Sequence, residues 1–370
     1  PTVLPRVEVQ GDEPCLVHDP RRRFEAIRSL GEGGAGEVFA AQDNDIDRTV
    51  AVKKIRAEIR SAEALARFVE EIRTIGRLEH PNIVPIHDVG LDEEGDYYFV
   101  MKYVDGETLE SIIAMLRAGD RDYHREYTFE RRMQIFRGLL EAVAFAHFKG
   151  IVHRDIKPAN VMVGRHGEVL LMDWGIAKSI RDDGVGVDDT FLARSEATTG
   201  DSARVFSTQV GAVIGTPMYM SPEQASGEAV DERSDVYSLC VLLHELLTLR
   251  HYLEDRRSYP EVIEGVLNES PPLAGSVRSS HQRPVPMDLT WLVRRGLHKD
   301  PDKRYESVAA LIERIDLRSE GQVPVECHIT FTKRVTSEWL RFIDRHPLLS
   351  TMGMLGLLGG AVALVIWQLL

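Results

Sequence analysis

The chain has 370 residues, 43% of them hydrophobic, enough for one large or two ordinary domains around a real core. A net charge of −13 removes the basic footprint that nucleic-acid binding needs, so no nucleic-acid partner is expected. Cys15, Cys240 and Cys327 are widely spaced and form no C-x-x-C pair, which argues against a disulfide framework or a zinc site and fits reduced thiols.

Residues 1–23 are rich in proline and charge, end in Arg21-Arg22-Arg23 and lack the apolar stretch of a signal peptide; they read as a mobile leader. From Phe24 short apolar runs begin, and Gly31-Glu32-Gly33-Gly34-Ala35-Gly36-Glu37-Val38 sits between two of them as G-x-G-x-x-G-x-V. Missing side chains let backbone N–H groups approach a phosphate chain closely. A dinucleotide-binding unit uses the same spacing but continues into a helix. Here Val38-Phe39-Ala40-Ala41 and Thr49-Val50-Ala51-Val52-Lys53 are strand patterns, which favours a phosphate-covering hairpin.

Leu65, Phe68, Ile72, Ile75 and Leu78 recur at helical spacing until His80-Pro81 stops them, and Glu70 and Glu71 lie on that helix. Ile83 to Val89 and Tyr97 to Val104 read as strands, and Glu107 to Leu116 as a helix. The polar stretch Arg117 to Thr128 reads as an inserted loop; Phe129 to Lys149 returns to helical register through Phe136, Leu139, Leu140 and Val143.

That helix leads into His153-Arg154-Asp155-Ile156-Lys157-Pro158-Ala159-Asn160, flanked by the apolar runs Ile151-Val152 and Val161-Met162-Val163. The loop holds a carboxylate, an ammonium and an amide oxygen. Asp155 can accept a proton from an attacking hydroxyl, Lys157 can neutralise charge on a moving phosphoryl group, and Asn160 can hold a hard cation through its oxygen. A strand at Val169 to Met172 then enters Asp173-Trp174-Gly175. The segment from Gly175 to Pro222 is acidic and then rich in Ser and Thr, and a loop this long inside a compact domain is normally functional or disordered. Asp235 to Leu249 is a strongly apolar helix.

These landmarks, in this order over residues 24 to about 316, resemble those of protein kinases, and the chain as a whole resembles the membrane-anchored, eukaryotic-like (Hanks-type) serine/threonine kinases of bacteria. The resemblance implies an α+β bilobal fold: a β-rich small lobe at 24–104 and a helical large lobe at 105–316. It implies ATP and Mg2+ as cofactors and protein Ser/Thr hydroxyls as substrates. Nucleotide would contact Gly31, Glu32, Gly33, Gly34, Ala35, Gly36, Val38, Ala51, Lys53 and the hinge at Met101, Tyr103 and Val104, with Met101 as gatekeeper. Glu71 would pair with Lys53; Asp155, Lys157 and Thr216 would serve the transfer; Asn160 and Asp173 would hold the metal. Arg154 would await a phosphate on Thr208 or Ser207, with Thr199 and Ser202 as further candidates. Asp235 would brace the catalytic loop and Arg304 would pair with Glu223. Three positions depart from the family pattern: Trp174 where Phe is usual, Ser221 in place of Ala before Pro222-Glu223, and Cys240 where Gly is usual. The alternative reading is a membrane-tethered pseudokinase that binds nucleotide without turnover.

Residues 317–347 read as a juxtamembrane linker with an amphipathic piece at Val335, Trp339, Leu340 and Ile343. Residues 348–370 then carry no charge and include eleven Leu, Ile and Val residues. At 1.5 Å per residue they reach about 34 Å, against a hydrocarbon core of roughly 30 Å, so a transmembrane helix is expected. Lys333, Arg334, Arg341 and Arg345 precede it, which keeps the folded part on the cytoplasmic side of the cell membrane. Gly356 and Gly360 form a G-x-x-x-G that would seat a partner helix in a homodimer.

Overall fold

The computed structural model describes residues 2–10, 13–17, 21–33, 36–55, 62–174, 178–179 and 217–320, together with Val335, Thr336, Trp339 and Ile343. The first half is built on strands β3 (Phe24–Gly33), β4 (Gly36–Asp43), β5 (Arg48–Ile55), β6 (Ile86–Leu91) and β7 (Tyr97–Lys102), with helix α1 (Ala62–Gly76) between β5 and β6. They form one antiparallel sheet in the order β3-β4-β5-β7-β6. The central strand β5 is apolar on both faces because both are covered. Val50 and Val52 join Ala41 and Val100 under Phe24, Phe39 and Tyr98. On the other side Ile55 and Phe99 meet Phe68, Leu65 and Ile72 of α1, the stripe that the sequence periodicity marks.

Helix α2 (Leu109–Arg117) opens the second half, with Thr108 accepting from the Ser111 N–H as its N-cap. Helices α3 (Arg121–Glu126) and α4 (Phe129–Phe148) follow, then α5 (Pro222–Ser226), α6 (Glu232–Thr248), α7 (Tyr259–Asn268), α8 (Met287–Gly296) and α9 (Val308–Ser319). One continuous core joins α2, α4, α6, α8 and α9. Every residue of α6 from Ser234 to Thr248 is buried, so it is the axis around which the other helices pack, and its lack of a polar face follows from that position. Short strands β8 (Gly106–Thr108), β10 (Val161–Gly164) and β11 (Val169–Leu171) form a sheet in the order β11-β10-β8, and β9 (Ile151–Val152) pairs with β12 (Lys178–Ser179).

The structure changes three expectations. The leader is not featureless: β1 (Arg6–Gln10) and β2 (Glu13–Val17) pair antiparallel. Asp45 on the β4–β5 turn ties that leader down by accepting the N–H groups of Val3 and Leu4 at 2.7 and 2.9 Å. Residues 117–128 contain a helix, capped by Asp120 at the N–H groups of Asp122 and Tyr123 and anchored by Tyr123, whose hydroxyl donates to Glu107. The helix after the hinge starts at Leu109 and not at Glu107, because Glu107 and Thr108 pair with β10. Among the described residues no helix is long and apolar enough to cross a membrane; residues 348–370 lie outside them.

Cys240 is fully buried, and burial pushes its thiol up to about 12, so it behaves as a small apolar side chain. Its room comes from Gly296: a Cβ there would lie 2.1 Å from the Cys240 sulfur. Gly296→Ala should therefore cost about 1–3 kcal/mol by overpacking, measured as a shift in denaturation midpoint. The same change in a Cys240→Gly background should cost clearly less, and equal costs in both backgrounds would contradict this packing.

Candidate active site

Antiparallel pairing places directly opposed side chains on one face. Gly31 opposes Val38, Val38 opposes Lys53, and Lys53 opposes Phe99. Two residues along, Ala40 opposes Ala51 and Ala51 opposes Met101. Period-2 alternation thus puts Val38, Ala51, Lys53 and Met101 on the same face, the one that also receives α1. The Lys53 ammonium donates to Glu71 Oε1 at 2.5 Å and lies 3.7 Å from Asp173 Oδ1. Burial acts to lower the Lys53 pKa, but the charges of Asp173 and Glu71 outweigh it and hold the group above its ordinary value. Lys53 is therefore a fixed cation, with one carboxylate from the small half and one from the large half. Glu71, buried, is the helix partner, while its neighbour Glu70 is exposed.

The loop after β9 is organised from behind. Asp235, at the start of α6 and wholly buried, accepts the backbone N–H of His153 at 2.8 Å, that of Arg154 at 2.9 Å and the imidazole N–H of His147 at 2.8 Å. Burial alone would raise this carboxyl, but the bonds from His147 and His153 outweigh it and set it below its usual value. Arg154 adopts φ +68°, a left-handed conformation costly for a residue with a Cβ, and the Asp235 bond holds it there. His153 is also wholly buried, and burial lowers its pKa and keeps it neutral. Its Nδ1 accepts the Asp155 N–H at 3.2 Å while Nε2–H donates to the Met172 carbonyl at 3.3 Å. One imidazole thus ties the Asp155 loop to the strand that delivers Asp173.

Asp155 Oδ2 accepts Lys157 Nζ at 2.6 Å and Asn160 Nδ2 at 3.1 Å, which leaves Oδ1 without a donor among the described residues. Asn160 Nδ2 also donates to the Asp155 carbonyl, so its amide is oriented with Oδ1 as the remaining acceptor. Asp173, half-exposed at φ +58°, follows β11. Trp174 is 1% exposed and its ring centroid lies 4.5 Å from that of His153, within the core that includes Ile75 of α1. The apolar slot accommodates the larger ring.

At the far end of the long segment, Glu223 accepts both Arg304 Nη atoms at 2.7 and 2.8 Å and the Ser234 hydroxyl at 2.5 Å. Burial would raise Glu223, but its bonds with Arg304 hold it below the usual carboxylate range. Ser221 caps α5 in a reciprocal box with Gln224, which accounts for Ser in place of Ala. At the hinge, Val104 is buried and the Tyr103 hydroxyl accepts from Arg28 at 2.8 Å. Gly34, Ala35, Thr216, Thr199, Ser202, Ser207 and Thr208 lie outside the described residues, and nothing is described of the Glu32 side chain.

A buried lysine–glutamate pair, an aspartate across the cleft and a loop with an acceptor carboxylate form one constellation, and comparison with known proteins points the same way. The family model described as "Protein kinase domain" matches residues 24–314. The chain belongs to the protein kinase family. A probable serine/threonine-protein kinase of Streptomyces coelicolor is 39% identical over 313 residues, 83% of this chain and 42% of that protein. The serine/threonine-protein kinase PknD of Protochlamydia amoebophila is 34% identical, covering 85% of this chain and 32% of its own length. For PknB of Mycolicibacterium smegmatis the values are 36%, 82% and 44%. The chain thus spans less than half the length of these relatives. The crystal structure of a mutant form of the Mycobacterium tuberculosis PknI kinase domain superposes with a TM-score of 0.55 over 80% of this chain and 96% of that one, at 22% identity, in line with a bilobal kinase fold.

Three residues of this kinase site escaped the sequence reading. His147 shares Asp235 with the loop, Gln224 Nε2 donates to the Arg154 carbonyl at 3.0 Å, and Asn82 donates to the Val169 carbonyl at 2.8 Å while its own carbonyl accepts Leu171 N–H. Only His147 left a signal, as a histidine four residues after Val143 on the apolar stripe of α4. The glycines divide by role. A Cβ on Gly36 would lie 2.3 Å from the Lys54 carbonyl oxygen, whereas one on Gly31 meets nothing within 4 Å. Gly36→Ala should cost about 1–3 kcal/mol of stability. Gly31→Ala should leave the denaturation midpoint in place and weaken MgATP binding by calorimetry about tenfold. Loss of stability in Gly31→Ala, with unchanged affinity, would contradict that division.

Proposed function

We propose that the chain is an ATP-dependent serine/threonine protein kinase that transfers the γ-phosphoryl group to protein hydroxyls. The observation that carries this reading is the position of the Lys53 ammonium, which reaches Glu71 at 2.5 Å and Asp173 at 3.7 Å. Relatives named as serine/threonine-protein kinases support the class of acceptor, as does Lys157 two residues after Asp155.

In this reading Lys53 neutralises the nucleotide phosphates, and Glu71 keeps the ammonium charged and aimed. The donor set fits magnesium: Asp173 offers a half-exposed carboxylate and Asn160 an oriented amide oxygen, both hard ligands. When bound there, the metal supplies charge neutralisation on the phosphates. Asp155 Oδ1 accepts the proton of the acceptor hydroxyl while Oδ2 stays engaged by Lys157 and Asn160, so the carboxylate cannot rotate away. Lys157 stabilises the negative charge that builds up at the transferred group. Rate enhancement comes from positioning and charge rather than from covalent chemistry.

Regulation by phosphate on the long segment before Pro222 belongs to the same reading, with Thr208 and then Ser207 the favoured carriers and Arg154 the receiving cation. Residues 348–370 form a membrane span with the kinase on the cytoplasmic side. The uncharged stretch and the basic residues before it support this, and resistance of the chain to alkaline extraction from membranes would check it.

Transfer of labelled phosphate from ATP to a serine- and threonine-containing protein acceptor tests the activity. Asp155→Asn should reduce incorporation by about 10²–10⁴-fold without loss of fold, and phosphoamino-acid analysis should find Ser or Thr phosphate. Equal incorporation by parent and variant would remove the enzyme assignment and leave a nucleotide-binding scaffold.

A further inference from the structure

A second pocket, of about 400 Å³, opens in the large lobe away from the nucleotide face, between α6, the turn at residues 270–274, α8 and residues 297–299. That volume falls in the range of small-ligand sites. Its lining is uneven in charge. His244, Arg294, His298 and Lys299 contribute nitrogen-bearing side chains and no carboxylate lines it, while Leu273 and Leu297 contribute an apolar wall.

The polar groups have unused capacity. Lys299 Nζ donates to the Tyr237 hydroxyl at 2.9 Å and to the Val266 carbonyl at 2.5 Å, two of its three N–H bonds, and no carboxylate lies within ion-pair distance of it among the described residues. Burial, and then the charge of Arg304, outweigh the charge of Glu269 and lower this ammonium to about 8. Arg294 is exposed, stacks over Trp291 at 5.0 Å and has no carboxylate partner among the described residues. His244 is 2% exposed, and its Nε2–H donates to the Pro272 carbonyl at 2.9 Å.

We propose that this pocket binds a small organic phosphate, a phosphate monoester on an apolar body. Cationic donors at Lys299 and Arg294 match the phosphate oxygens, and Arg in particular offers a fork for them. A phosphate monoester carries about −1.5 to −2 charge at pH 7, more than a carboxylate, and so gains more from a lining with cations and no carboxylate. The apolar wall gives the ester body its place and separates such a ligand from inorganic phosphate. This site is independent of the kinase reading, since none of its residues belongs to the cleft around Lys53.

Calorimetric titration of the whole chain with phenyl phosphate, benzoate, phenol and inorganic phosphate tests the proposal, with Arg294→Glu as the localising variant. Arg294 is exposed, so the variant should keep its melting temperature, and its distance from the cleft should leave MgATP binding unchanged. Phenyl phosphate should bind the parent at least about tenfold more tightly than any of the other three and lose about tenfold or more in Arg294→Glu. Lys299→Gln should weaken it likewise. Equal affinity for inorganic phosphate and phenyl phosphate, binding unaffected by Arg294→Glu, or no binding of phenyl phosphate at millimolar concentration would each overturn it.

Discussion

One buried ammonium joins the two halves of this molecule. Lys53 rises from the central strand of the small sheet, is held by Glu71 of the helix packed on that sheet, and faces Asp173 at the end of a strand in the large half. A cation so placed is stable only if carboxylates surround it, and those come from segments 18 and 120 residues further along the chain. The fold is what brings them together. Its sheet register fixes the face on which Lys53 projects, and its α1 stripe, seated on Phe99 and Ile55, fixes the turn from which Glu71 reaches back.

The large half solves a complementary problem, that of holding an irregular polar loop rigid without a ladder of hydrogen bonds. Asp235 does so from inside the core by taking two successive backbone N–H groups and one imidazole. The arrangement withstands burial because every bond converges on one ionised carboxylate, and charge-assisted bonds are the strong ones. The lowered Asp235 pKa has a consequence for stability. The contribution is complete above the unfolded carboxylate range near pH 4 and is lost as pH falls through the lower folded value. His153 extends the same order outward to Asp155 and to the strand before Asp173, so the loop and Asp173 are positioned by one scaffold.

Much of this was legible in the letters because the local rules agree with the global fold. The helical stripe of α1, the strand patterns around Lys53 and the short runs flanking His153 to Asn160 all appear where periodicity places them. The pairing of Arg304 with Glu223 follows the resemblance to kinases. Other features were hidden for physical reasons. The leader's anchorage rests on a carboxylate at Asp45, 41 residues beyond Leu4, which no local pattern announces. The helix at Arg121–Glu126 is too short for a periodic signature and is held by a tyrosine reaching Glu107. Cys240 reads as an oddity until Gly296 is seen against it, and Ser221 until its cap is seen. The cationic pocket on α6 and α8 collects residues from three separated segments, none of which forms a motif.

In the proposed mechanism Lys53 and Asp173 act on a single triphosphate. A double-mutant cycle of MgATP affinity, measured by calorimetry on the parent, Lys53→Met, Asp173→Asn and the double variant, addresses that directly. Each single change should weaken binding, and the double should fall short of the sum by about 0.5–3 kcal/mol, as groups sharing one ligand do. Losses that add to within about 0.5 kcal/mol, or an affinity indifferent to either residue, would contradict a shared site.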